Sequence, residues 1–174
     1  MTLFQNKYRA ESHRLSNWDY SQNGIYFITF CVENNENLFG EIIDNEMILN
    51  DLGEIIKKEI IKSEEIRSSW IFHSWVIMPN HLHFLIEIEA INNSIENNDS
   101  RESNVKRKPN SISSFVAIFK SVTTKQINMV QNTENEKIWQ NNYHDHIVKD
   151  FAYFNTINNY IINNPLNWQD DKFR

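Results

Sequence analysis

Cysteine is almost missing from this chain: Cys31 is the only one in 174 residues, so no internal disulfide can form, and the composition suits a reducing compartment. Cys31 stands in an apolar run, residues 25–32, where a small thiol reads as core. No apolar run approaches the ~20 residues that span a bilayer. The start, Met1-Thr2-Leu3-Phe4-Gln5-Asn6, has neither the basic flank nor the apolar stretch of a secretion signal. The expectation is a cytoplasmic protein without a membrane partner. Positive charge is also scarce, with 17 Lys and Arg against 23 Asp and Glu, a net charge of −6. Such a balance argues against a polyanionic partner unless the cations are gathered locally. They are gathered: between Val32 and Lys57 stand seven acids (Glu33, Glu36, Glu41, Asp44, Glu46, Asp51, Glu54) and no base, whereas Arg101, Lys106, Arg107, Lys108, Lys120 and Lys125 face only Glu102 over residues 101–125.

What is present is apolar enough to fold. Hydrophobic residues make up 40% of the chain and aromatic residues 13%, beyond what a disordered chain carries. The length suits one domain, 1–174, with a real core, and is too short for two. Residues 24–32 are β-branched and aromatic and read as a buried central strand. Gly40–Ile43 and Glu46–Leu49 flank Asp44-Asn45, a pair that tolerates the left-handed backbone of a tight hairpin. Asp51 is the expected N-cap, with Glu54 three positions on as in a capping box, for a helix over 51–63. Residues 70–78 and 81–89 are two strands joined through Pro79-Asn80. Residues 91–110 are polar and read as a loop or insert. Ile112, Phe115, Val116, Ile118, Phe119, Val122 and Ile127 recur at helical spacing. Residues 139–148 show no clear period. Asp150 caps a last helix over 151–163, which Pro165 ends. Strands grouped in hairpins, with helices packed on them, predict an α+β fold around a central antiparallel sheet.

The chemistry begins at Val76-Ile77-Met78-Pro79-Asn80-His81-Leu82-His83-Phe84. Side chains alternate along a strand, so His81 and His83 leave the same face about 6 to 7 Å apart, while Leu82 and Phe84 leave the other. Two neutral imidazoles so placed can converge on one metal ion; the same pair also suits two hydrogen-bonded residues at a sheet end. A histidine-triad hydrolase would need a third histidine at position 85, which is Leu85. His144 and His146 form a second pair, suited as well to phosphate contact or a structural hydrogen bond as to a metal. On the last helix Tyr160 and Asn164 share a face. The Asn carbonyl is a hard oxygen ligand, and a tyrosine beside a metal is a candidate covalent nucleophile that needs help to ionise. The residues alone do not choose among Tyr143, Tyr153 and Tyr160.

Three tracts occur in a telling order: Met78-Pro79-Asn80-His81-Leu82-His83, then Trp139-Gln140-Asn141-Asn142-Tyr143-His144-Asp145-His146-Ile147, then Asn159-Tyr160-Ile161-Ile162-Asn163-Asn164-Pro165. With Tyr8-Arg9, Tyr20-Ser21 and Phe119-Lys120-Ser121-Val122-Thr123, they make nearly the whole chain resemble the REP-associated tyrosine transposases, relatives of the single-tyrosine insertion-sequence transposases. The resemblance implies a ferredoxin-like HUH fold, with metal ligands His81, His83 and Asn164 and nucleophile Tyr160. It leaves Tyr143 and Tyr153 to packing or DNA contact. It implies Mg²⁺ or Mn²⁺ as cofactor, although imidazoles equally suit zinc. The implied activity is cleavage and rejoining of single-stranded DNA near hairpins through a 5′-phosphotyrosine. The implied partner is single-stranded or hairpin DNA from palindromic repeats, with a homodimer left open. Arg9, Arg14, Lys106, Arg107, Lys108, Lys120 and Lys125 are the expected phosphate contacts, with Tyr143 and His146 also on the DNA and Trp18 and Trp139 as further stacking surfaces. Affinity carried by local patches on an acidic chain should fall steeply with salt. The alternatives are a catalytically silent hairpin-binding protein of the same fold, and a phosphoesterase that uses water rather than tyrosine.

Overall fold

The computed structural model describes residues 23–89 and 110–174, together with the backbone of a short antiparallel pair, β1 (Leu3–Phe4) and β2 (Tyr8–Arg9). Most of the polar insert expected at 91–110 lies outside the described residues. So do the side chains of Arg9, Arg14, Trp18, Lys106, Arg107 and Lys108.

The central sheet holds β3 (Gly24–Cys31), β6 (Trp70–Ile77), β7 (His81–Ile88) and β8 (His144–Val148) in the order β6-β7-β3-β8, every neighbour antiparallel. Helix α1 (Asp51–Glu65) links β3 to β6, and α2 (Ile112–Gln131) links β7 to β8. In each case a third strand lies between the two that are linked. This is the split βαβ pattern of a ferredoxin-like sheet, so the connections are crossovers as well as hairpins. The hairpin of β4 (Gly40–Ile43) and β5 (Glu46–Leu49) is inserted before α1, and Asp44 and Asn45 turn it with φ of 51° and 66°.

Alternation gives the sheet two unlike faces. Tyr26, Ile28 and Phe30 of β3, with Leu82, Phe84 and Ile86 of β7, point to α1 and α2 and pack on Ile56, Ile60, Phe115 and Phe119. Phe27 and Leu85 point the other way and pack under α3 (Phe151–Ile162), against Ile157 and Ile161.

Local rules account for the ends of the helices. Asn50, not Asp51, caps α1: its side chain accepts from the Leu52 and Gly53 N–H groups, and the helix runs on to Glu65. Ser111 caps α2 in a reciprocal box with Ser114. Ile118 is exposed rather than part of the stripe, two positions beyond Val116 and off the buried face. Asp150 caps α3 through the Tyr153 N–H, as expected.

The segment without a clear period contains β8, the edge strand. Its buried, inward position is occupied by Asp145, with His144 and His146 exposed on the opposite face, so hydropathy does not alternate in the usual sense. Within the described residues, no helix is long and apolar enough to cross a membrane.

Candidate active site

The two histidines lie where β7 meets the β3 strand on the α3 face. His81 stands opposite Cys31 and His83 opposite Thr29, with ring centroids 4.6 Å apart, and neither ring is exposed. Each imidazole is held at Nδ1. His81 Nδ1 is 2.7 Å from Asn80 Oδ1, and His83 Nδ1 is 2.8 Å from Thr29 Oγ1. An amide oxygen can only accept, so His81 carries its proton on Nδ1 and turns the lone pair of Nε2 inward. The inward nitrogen of His83 lies 3.2 Å from the Tyr160 hydroxyl.

Helix α3 brings Tyr160 here because Ile157 and Ile161 anchor the same helix on Phe27 and Leu85. The Tyr160 ring meets Phe27 edge-on at 6.1 Å and His83 at 5.1 Å. After Ile162 the helix gives way to a 3-10 turn, Pro165–Asp170, whose first flank is the fully buried Asn164. That turn sends the chain back over the site. Asp171 Oδ2 accepts from Asn164 Nδ2 at 2.9 Å and from the Tyr160 hydroxyl at 3.4 Å, and lies 3.9 Å from His81 Nε2. Phe173 covers the two imidazoles at ring distances of 5.0 and 5.7 Å, with its carbonyl accepting from Asn80 Nδ2.

Burial sets the electrostatics. It lowers the His81 pKa to about 4, against a partial opposing pull from Asp171 and Asn164. The His83 pKa is held well below the ordinary imidazole value, first by burial and then by the unfavourable proximity of His81, Lys172 and His144 to a proton on the ring. Both rings are therefore neutral at pH 7, the form that ligates a metal. The Tyr160 phenol is pushed up to about 12, by burial and then by the Asp171 charge. Cys31, on this same face, is raised to about 11 by burial and is no nucleophile.

Two atoms are left over. His81 Nε2 and Asn164 Oδ1 are buried without a hydrogen-bond partner. Unpaired buried acceptors are costly and uncommon. Both carry lone pairs, and one cation would satisfy both, so the residues present fit a divalent metal. One ligand atom each from His81, His83 and Asp171 also falls within 4.8 Å of the others.

Thus His81, His83, Tyr160 and Asn164 come together, and Tyr153, on the exposed first turn of α3, does not join them. His146 is exposed on this face, its ring 6.3 Å from Phe27. The remaining expected DNA contacts divide. Lys125 is exposed on α2 and lines, with Lys137 and Asn141, a cleft of about 700 Å³. Lys120 is tied to the carbonyls of Gln140 and Asn142 at 2.7 and 2.8 Å, so its ammonium braces the loop before β8. Tyr143 is buried, its hydroxyl 3.2 Å from Ser113 Oγ, and Trp139 is buried with its indole N–H on Thr123 Oγ1. Neither ring offers a face for stacking, because both complete the α2 side of the core. Sequence reasoning missed Thr29, Asn80 and Asp171. A register would have found Thr29, and the Pro79-Asn80 turn contains the second; Asp171 carries no local signal.

No family model matches the chain. An uncharacterised protein of Haemophilus influenzae is 37% identical over 175 residues, covering 95% of this chain and 96% of that one. The chain belongs to one family with that protein. Among solved structures, a REP-associated tyrosine transposase bound to a REP hairpin overlays with a TM-score of 0.56 at 18% identity, over 92% of this chain and 74% of that one. The fold is that of this transposase, and the resemblance read from the three motifs is borne out at that level. A structure from Deinococcus radiodurans R1 overlays at a TM-score of 0.42 with 14% identity, over 86% of this chain and 97% of that one, too loosely to argue from.

Proposed function

We propose that the protein is a metal-dependent DNA strand transferase that cuts and rejoins single-stranded DNA near hairpins through Tyr160. The observation that carries the reading is the Tyr160 phenol 3.2 Å from His83 Nε2, beside two buried lone-pair atoms that lack partners. His81, His83 and Asn164 would hold a divalent ion, Mg²⁺ or Mn²⁺. When bound, it supplies Lewis acidity to a nonbridging oxygen of the scissile phosphate. Tyr160 is held in place by Phe27 and by its helix anchors, so its oxygen is positioned before DNA arrives. In the attack, the phenolic oxygen bonds to phosphorus and the bond to the 3′ oxygen breaks. The phenolic proton leaves and the 3′ oxygen gains one, giving a 5′-phosphotyrosine and a 3′-hydroxyl. A second 3′-hydroxyl reverses the step without an energy source, because one phosphodiester replaces another.

Three features support a nucleic acid partner: the exposed Lys125, His146 on the site face, and the basic residues at 101–108. Arg9, Arg14, Lys106, Arg107 and Lys108 complete the proposed contacts, with the cytoplasm as the compartment. The solved neighbour holds a REP hairpin, which makes hairpin DNA the substrate to try first.

The test is incubation with a single-stranded hairpin oligonucleotide and Mn²⁺, followed by denaturing electrophoresis. A covalent adduct mapped to Tyr160 is expected, and Tyr160→Phe should lower it by about 10⁴-fold or more while leaving DNA binding intact. An adduct that survives in Tyr160→Phe would remove the tyrosine mechanism. Binding with no adduct in either protein would leave a silent hairpin-binding protein instead.

A further inference from the structure

We infer that Asp171 is itself a ligand of the ion, so that the site is two imidazoles, one carboxylate and one amide oxygen. The inference rests on the metal reading above and deepens it.

Distance is the first ground. Asp171 Oδ2 lies 3.9 Å from His81 Nε2, beyond hydrogen-bond range. Ligands at about 2.1 Å from an ion sit no more than about 4.2 Å from one another. The three candidate atoms of His81, His83 and Asp171 all fall within 4.8 Å of one another, so modest side-chain shifts would bring them to one centre.

Burial is the second ground. The Asp171 side chain is 1% exposed, yet no lysine or arginine pairs with it among the described residues. Its partners are neutral donors: Asn164 Nδ2, the Tyr160 hydroxyl and the Phe173 N–H. A carboxylate taken out of water is costly unless compensating positive charge lies beside it. A divalent cation supplies that charge. Lone pairs provide the third ground. Asp171 takes the Asn164 NH₂, which turns Asn164 Oδ1 away unpaired and free to ligate.

A carboxylate changes what the site selects. Two imidazoles and an amide favour zinc as readily as manganese, whereas a hard anionic oxygen favours manganese or magnesium. It also reduces the charge of the loaded site from +2 to +1, and ties residues 171–173 to ion binding.

The experiment titrates the full chain with Mn²⁺ alone by calorimetry, with circular dichroism to verify folding. Asp171→Asn and Asp171→Ser should each weaken Mn²⁺ by 100-fold or more, and Zn²⁺ by much less, estimates that follow from ligand hardness. Co²⁺ substitution separates a ligand from a residue that only orients Asn164. Loss of a ligand moves the visible absorption bands; if Asp171 only orients Asn164, adding Asp171→Ser to Asn164→Ala moves them no further than Asn164→Ala alone. Bands that move no further, or Mn²⁺ affinity within about tenfold of the parent, would overturn the role of Asp171. His81→Ala separates the two levels. If it binds Mn²⁺ as the parent does, the metal reading itself fails, whatever Asp171 does.

Discussion

The two faces of the central sheet are made from the same strands and obey different rules. On the α1 and α2 face, Phe30, Phe84, Phe115 and Phe119 pack ring against ring with centroids 5.3 to 6.0 Å apart, all of them buried. On the α3 face, one residue away along each strand, the fold buries His81, His83, Thr29 and Asn164 and leaves two of their acceptors unpaired. The first face is a place where burial lowers free energy. The second holds polar groups in a dry site at a cost in stability, which the packed face offsets. The contrast teaches that a β-strand can carry core and chemistry at once, since alternation separates them by a single residue.

His83 and Phe84 put that contrast to its strongest test. Phe84→Ala should destabilise the protein by about 3–5 kcal/mol, seen as a large fall in Tm. His83→Ala should abolish Mn²⁺ binding and the DNA adduct, while the protein still melts cooperatively. If His83→Ala unfolds the chain as fully as Phe84→Ala does, His83 belongs to the core as Phe84 does.

Acid should find only one face. His81, with a pKa of about 4 in the fold against about 6.5 free, and His83, shifted the same way, stay neutral folded and take up protons unfolded. The unfolded state then binds more protons between pH 6.5 and 4. Stability of the metal-free protein is therefore full above about pH 6.5 and falls as pH drops towards 4. Urea melts across this range check the slope, and a His81→Gln, His83→Gln double variant should flatten it. A slope that persists in the double variant would assign the acid sensitivity elsewhere.

The smallest effects come from the adjacent pair Ile28 and Thr29. Ile28→Val should cost about 1 kcal/mol by removing one methylene from the packed face, and leave metal affinity alone. Thr29→Val removes the hydroxyl that holds His83 Nδ1. It should cost about 1–3 kcal/mol for the unpaired ring nitrogen, and should weaken Mn²⁺ by about 10- to 100-fold. Equal metal affinity in the two variants would mean that Thr29 does not orient the ring.

Much of this fold is legible in the residues because it obeys short-range rules. The Asp44-Asn45 turn, the Asp150 cap and the placing of His81 and His83 on one strand face all follow from backbone sterics and a period of two. The Asn50 cap was missed by one position because Asn and Asp are near-equal caps and stand side by side. Strand β8 was missed because Asp145 occupies its buried position. The roles of Lys120, Tyr143 and Trp139 depended on packing partners from other elements, so surface and interior could not be told apart beforehand.

The alternation of hydropathy and the order of the motifs already determined a sheet with paired imidazoles and a helix bearing a phenol, since both depend on neighbours a few residues apart. Tertiary structure alone decided how far the phenol stands from those imidazoles, which hydroxyl fixes each ring, and that a carboxylate near the end of the described chain returns to them. Such distances are set by helix docking and by the 3-10 turn at 165–170, beyond which contacts join residues far apart in the chain, as across the 93 positions between Asn80 and Phe173. Local pattern contains no information about contacts of that range.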